Sequence, residues 1–128
     1  LGFKTYHKFV EGSACNYENL DNYQVGIHDY LKYLKFGFGR ATDLVNNKIR
    51  RNIITREDGL EIVRIHDGLY PSEYLGKSLK EILENIGLSI DEFDKLCDTF
   101  TNKDLFKVDD NGNLIKENKE PILRIPLM

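Results

Sequence analysis

Between Ser78 and Phe100 the sequence leaves little freedom of local structure. Leu79, Ile82, Leu83 and Ile86 fall on one side of a helical wheel, with Lys80, Glu81 and Glu84 on the other. That three-and-four spacing buries one stripe of an amphipathic helix. Gly87 closes the run, and Ser89-Ile90-Asp91-Glu92 forms a complete S-x-x-E capping box. In such a box the serine and glutamate side chains each satisfy a backbone N–H that a helix start leaves unpaired. Phe93, Leu96, Cys97 and Phe100 continue at helical spacing. The result is an αα-hairpin whose apolar stripes need further helices to cover them. Cys97, on the apolar stripe, reads as an inert packing thiol.

Those further helices are visible upstream. Tyr23, Ile27, Tyr30, Leu31 and Leu34 form one stripe, with Asp21 or Asn22 as N-cap. Gly37 to Gly39 breaks it, and a second helix starts near Arg40 with Ala41, Leu44, Val45 and Ile49 inward. Asn52 suits the following turn, and Thr55 caps a third helix through Leu60 and Val63 that ends at Asp67-Gly68. Pro71 then enforces a turn at Tyr70-Pro71-Ser72. After Asn102, Phe106 and Val108 face Leu114 and Ile115 across Asp109-Asp110-Asn111-Gly112-Asn113, an Asn-Gly hairpin signal. The expectation is a mainly α domain of four to five helices, including the αα-hairpin, with a short C-terminal β-hairpin. Residues 1–20 form an aromatic lead-in, with a short strand at Phe3, Thr5, His7 and Phe9. Residues 21–103 form the helical domain, and 104–128 the hairpin and tail. The lead-in and the apolar stretch Pro121 to Met128 lack evident partners, so an exposed apolar patch that associates is expected, as a homo-oligomer or with a missing domain.

At 128 residues, 41% hydrophobic and 30% charged, the chain has room for one real core. No apolar run reaches the length of a membrane span and no signal-like N-terminus is present, which points to the cytoplasm. Cys15 and Cys97 stand in no metal-ligand spacing and are expected to be reduced thiols, with no metal site. The start at Leu1, without methionine, fits an excised domain or a processed chain, the excised domain being favoured.

Charge is distributed unevenly. Lys32, Lys35, Arg40, Lys48, Arg50, Arg51 and Arg56 face a single acid, Asp43, within 32–56, giving 7 − 1 = +6. The remainder carries 11 − 20 = −9, which restores the total of −3. A cationic island in an acidic chain is a candidate anion site, although a solvated basic helix face has the same composition. Gly37 and Gly39 permit close backbone approach just ahead of a helix N-terminus, where free N–H groups favour an anion. Cations at a helix C-terminus are explained by the dipole, which accounts for part of Lys48, Arg50 and Arg51 but not for Lys35 and Arg40. His28 and Asp29 lie beside the first apolar stripe. As helix neighbours they do not face each other, so His28 is better placed to meet a ligand than to form a dyad.

The runs IHDYLKYLKFGFGRATD, KIRRNIITREDGLEIVRIHDG and YLGKSLKEILENIGLSIDEF, with EGSACNYENLDNY upstream and FTNKDLFKVDDNGNLIK downstream, resemble the C-terminal part of bacterial N-acetyl sugar amidotransferases of the ATP-pyrophosphatase superfamily. The resemblance covers nearly the whole chain, with separated motifs in order. It implies an enzyme of lipopolysaccharide and surface-glycan biosynthesis that converts an acetamido sugar to an acetamidino sugar. ATP and Mg would activate the acetamido oxygen, and ammonia from a glutaminase subunit would then attack. The family's Ser-Gly-Gly-x-Asp-Ser phosphate loop and its paired cysteines are missing here. The fragment is therefore expected to bind no cofactor and to be inactive alone, its partners being an N-terminal ATP-pyrophosphatase domain, the glutaminase, and a sugar on a nucleotide or lipid carrier. Within that reading Lys35, Gly37, Gly39, Arg40, Arg51, Arg56 and His28 are the candidate phosphate and substrate contacts, with Thr42 and Asp43 available to ribose or sugar hydroxyls. Arg40, a cation at a helix start, is expected to serve a ligand rather than the fold. The alternative is a non-catalytic helical module whose basic face binds nucleic acid or an acidic protein, although no recognition helix or stacking platform is evident.

Overall fold

The computed structural model describes Lys4, His7, Lys8 and residues 22–126. The lead-in expected over 1–20 lies almost wholly outside these residues, as do Asp21 and Cys15. Among the described residues there are five helices: α1 (Val25–Phe36), α2 (Arg40–Arg50), α3 (Arg56–His66), α4 (Leu79–Glu84) and α5 (Ile90–Phe100). Two short antiparallel pairs accompany them, β1 (Glu73–Tyr74) with β2 (Lys77–Ser78) and β3 (Lys116–Glu117) with β4 (Glu120–Pro121). The domain is mainly α, as the periodicity requires.

Local chemistry sets the helix ends. Ser89 and Glu92 form both halves of the capping box on α5, Ser78 Oγ accepts from Glu81 N–H on α4, and Thr55 Oγ1 accepts from Asp58 N–H on α3. α1 differs from expectation: its N-cap is Gln24, which makes no side-chain cap bond, while Asn22 Oδ1 accepts from Gln24 N–H at 2.8 Å. Asn22 thus shapes the turn ahead of the helix rather than capping it. Gly37 at φ 80° closes α1 with its N–H on Tyr33 O at 2.7 Å, a left-handed position that favours glycine.

α1 crosses the α4–α5 hairpin, and Tyr30, Leu34, Leu79, Leu83, Phe93 and Cys97 form the main core between them. Tyr70 wedges into it, edge-on to both Tyr30 and Phe93. A second cluster joins Tyr74 and Ile82 to Val25. α2 and α3 form their own antiparallel hairpin, brought close because Gly59 has no side chain: a Cβ there would lie 2.5 Å from Val45 Cγ1.

The expected hairpin around Asn111-Gly112 is a turn flanked by the isolated pair Val108 and Leu114, and the regular two-stranded pair lies just beyond it, at 116–121. The apolar tail is also more engaged than expected. Pro121 is buried, Lys107 N–H donates to Ile122 O and Arg124 N–H to Leu105 O, so the tail is covered as far as Leu123. Among the described residues, Ile125, 80% exposed, and Pro126 keep the expected apolar surface at this end. Asp94 on α5 holds the segment down by accepting from Tyr70 Oη and from Lys119 Nζ, and Lys116 pairs with Asp98.

Candidate functional site

The α1–α2 turn brings together seven of the nine nominated residues. His28 and Lys35 lie on α1, Gly37 and Gly39 in the turn, and Arg40, Thr42 and Asp43 in the first turn of α2. Arg51 and Arg56 lie at the other end of α2. Eleven residues at 1.5 Å rise put that end about 16 Å away. The cationic island is therefore two sites.

At the α2 N-terminus the expected anion is already present, and it is part of the chain. Asp67, the C-cap of α3, accepts from Gly39 N–H at 2.9 Å and Ala41 N–H at 3.0 Å, one carboxylate oxygen each. Thr42 Oγ1 donates to the same carboxylate at 2.5 Å. Gly39 is needed for this approach, since a Cβ on it would sit 2.7 Å from Asp67 Oδ1. An internal carboxylate uses the donors and the dipole that an external phosphate would need.

Arg40 and Lys32 are also matched by acids. Arg40 Nη2 lies 3.6 Å from Asp29 Oδ1, and Asp29 is 9% exposed. Lys32 Nζ contacts Asp43 Oδ2 at 2.5 Å and stands 4.7 Å over the Phe38 ring. Around this turn stand three cations (Lys32, Lys35, Arg40) and three acids (Asp29, Asp43, Asp67), a local sum of 3 − 3 = 0, with ion pairs formed between Arg40 and Asp29 and between Lys32 and Asp43. The fold supplies two acids from outside the sequence window. Arg40 Nε is buried without a hydrogen-bond partner. Arg40, expected to serve a ligand rather than the fold, thus also stands within ion-pair range of a nearly buried aspartate. His28 Nδ1 comes within 3.4 Å of Asp29 Oδ1, so the two helix neighbours do touch, loosely, while the ring is 78% exposed.

Among the described residues three clefts open beside this turn. One, about 110 Å³, is lined by Asp29, Arg40, Asp67, Glu73 and Tyr74. A second, about 420 Å³, is lined by Tyr33, Gly37, Phe38, Thr42, Asp67 and Leu123. The third is an open groove of about 410 Å³ formed by His28, Leu31, Lys32, Lys35, Phe36 and Phe100. Phe36 and Phe100 are half exposed in it, and Lys35 Nζ lies 5.7 Å from the Phe36 ring centroid. The groove combines ammonium groups, a histidine and aromatic faces, a set that suits a ligand with both an anionic and a flat or apolar part. Sequence reasoning did not find Asp29 or Asp67 as partners; the Asp67-Gly68 pair signalled a helix end only.

Titratable groups elsewhere follow burial. Cys97 is pushed up to about 12 by desolvation, which agrees with an inert thiol. Tyr33 is raised to about 12, first by burial and then by Asp67. His66 is lowered by burial against an opposing pull from Asp67. Among the described residues no cluster of His, Cys, Asp and Glu has the makings of a metal site.

Compared with known families, residues 4–119 match the model described as LPS biosynthesis protein WbpG-like, C-terminal domain. No curated protein matches the chain.

Proposed function

This chain belongs to the WbpG-like C-terminal domain family of LPS biosynthesis proteins, and from that premise we propose that it holds the sugar acceptor's anionic carrier during an ATP- and glutamine-dependent amidotransfer. In that reaction an acetamido sugar becomes an acetamidino sugar, the oxygen leaving after activation and ammonia from a glutaminase partner taking its place. ATP with Mg supplies the activation in such enzymes. The residues here do not fit a triphosphate: the α2 N-terminus is filled by Asp67, and the chain carries no phosphate-loop motif. Activation is therefore assigned to an ATP-pyrophosphatase domain outside these residues, and acceptor positioning to this one.

The observation that carries the proposal is the groove of His28, Lys32, Lys35, Phe36 and Phe100. Lys35 offers a point charge to a phosphate, Lys32 being paired with Asp43, and the two phenylalanines offer faces for a ring. Arg40, tied to Asp29, positions the turn rather than reaching the carrier. Holding the acceptor in one orientation accelerates a two-substrate reaction by removing its translational freedom in advance.

Titration calorimetry with UDP-N-acetylglucosamine as probe tests this. Saturable binding is expected, weakened about tenfold by Lys35→Met, since one charge-assisted contact is worth about 1.4 kcal/mol or more. Lys35 is exposed, so its melting temperature should stay unchanged. Absence of saturable binding, with salt-sensitive affinity for duplex DNA instead, would favour the non-catalytic module.

A further inference from the structure

We propose that the tip joining α2 to α3 docks on an anionic phospholipid surface, Ile53 entering the interface while Lys48, Arg51 and Arg56 meet headgroup phosphates. The inference does not rest on amidotransfer, and it concerns the end of α2 remote from the groove.

The tip is a closed and well-defined turn. Ile53 N–H donates to Lys48 O and Asn52 N–H to Ile49 O, both at 2.9 Å, around Asn52 at φ 56°. This closure usually folds the apolar residue after it back onto the residue five positions earlier. The same chain does so at the end of α4: Leu88 N–H donates to Leu83 O, and Leu88 packs on the core that contains Leu83. At the end of α2 the corresponding earlier residue is Lys48, and Ile53 remains 59% exposed. A turn already held by backbone bonds presents an aliphatic side chain that the domain itself does not cover.

Cations surround it. Arg50 is engaged locally, donating to Asn46 O and Asn47 Oδ1. Lys48, Arg51 and Arg56 are exposed and make no side-chain hydrogen bond or ion pair among the described residues. Arg56 opens α3, where a cation opposes the helix dipole, so the helix does not explain it. From Lys48 to Asp58 the charge is 4 − 2 = +2, counting Glu57 and Asp58, and the rest of the chain carries −3 − 2 = −5. That asymmetry turns the tip toward a negative surface.

The occupant follows from what the tip lacks. There is no aromatic residue between Leu44 and Ile65 to stack on a base. A single isoleucine is also small beside the roughly 800 Å² per partner of a stable protein interface. One aliphatic side chain ringed by cations suits the boundary between headgroups and acyl chains.

The chain has no tryptophan, so Ile53→Trp gives a single reporter. The full chain is mixed with vesicles of phosphatidylcholine and phosphatidylglycerol at 7:3, or of phosphatidylcholine alone, at low and high salt. Expected are co-sedimentation with the anionic vesicles only, release by salt, and a blue shift of the Ile53→Trp emission. Each cation near an anionic leaflet changes partitioning by on the order of fivefold. Arg51→Glu with Arg56→Glu should therefore weaken binding at least about tenfold. Ile53→Ser should weaken it severalfold, with helical circular dichroism retained in every variant. The proposal is overturned by absence of phosphatidylglycerol-dependent binding, by unshifted emission on bound protein, or by an equal loss from Lys95→Glu with Lys103→Glu. Binding of the tip to duplex DNA rather than to vesicles would also overturn it.

Discussion

Thr42 Oγ1 donates to the Asp67 carboxylate at 2.5 Å, and the same carboxylate accepts the Gly39 and Ala41 N–H groups. One side chain at the end of α3 thereby closes the start of α2. Asp67→Ala should lower stability by roughly 2–3 kcal/mol, the scale of a lost cap with charge-assisted bonds. The melting temperature should fall by about 10 °C. Because the variant frees an anion cradle, sulfate should recover part of the loss where chloride at equal ionic strength does not. An unchanged melting temperature would show that water replaces Asp67 at no cost.

Gly59 sets the distance between α2 and α3. A Cβ there meets Val45 Cγ1 at 2.5 Å and Ile49 Cδ1 at 2.8 Å. Alanine improves helix propensity by about 1 kcal/mol, but overpacking costs about 1–3 kcal/mol. Gly59→Ala should be net destabilising by about 1 kcal/mol, and Val45→Ala in the same chain should cancel part of that penalty. Urea melts of the two single variants and the double variant measure the coupling. Additive effects would mean the helices simply move apart.

Elements whose signals are local could be read directly. The Ser89–Glu92 box, the Thr55 cap and the glycine stops at Gly37, Gly68 and Gly87 all appear where the sequence puts them. A C-terminal hairpin was legible within 104–128, although its regular pair β3–β4 lies just beyond the Asn-Gly turn; the β1–β2 pair was not legible, because two-residue strands carry no alternation. The turns of both pairs also lack the Asn-Gly signal: Leu75-Gly76 and Asn118-Lys119 take positive φ at both positions, two of them at residues that rarely do. The acids around the α1–α2 turn were hidden for a different reason. Asp29 lies just ahead of the basic window in sequence and Asp67 well beyond it, and only the packing of α1, α2 and α3 brings both acids to the α1–α2 turn.

Arg40 and Asp29 offer a double-mutant cycle. At 3.6 Å, with Asp29 nearly buried, the pair should couple by about 1 kcal/mol, at the upper end for exposed pairs. Arg40→Ala leaves a buried carboxylate uncompensated and should be more destabilising than Arg40→Ala made together with Asp29→Asn. Equal losses in the two backgrounds would mean that the guanidinium acts on something other than Asp29, and the ligand role would regain its standing.

Glu120 provides the pH dependence. Its Oε2 accepts from Tyr70 N–H at 2.6 Å, a bond that favours the charged form, but burial outweighs it and raises the pKa above the usual 4.5, with Glu117 adding to the rise. The folded chain therefore holds this proton more tightly than the unfolded chain. The stability it contributes is fully present below the unfolded pKa and is lost as pH rises through the folded one. At neutral pH the ionised carboxylate carries a desolvation cost that, among the described residues, one backbone donor offsets. Glu120→Gln keeps an acceptor for Tyr70 and removes the charge, so the variant should melt higher than the parent at pH 7. The gap should close as pH falls toward 4, where the parent's carboxyl is itself neutral. Melting curves recorded from pH 4 to 8 on both proteins decide the matter. A gap that stays constant across that range would show that Glu120 titrates alike in the folded and unfolded chains.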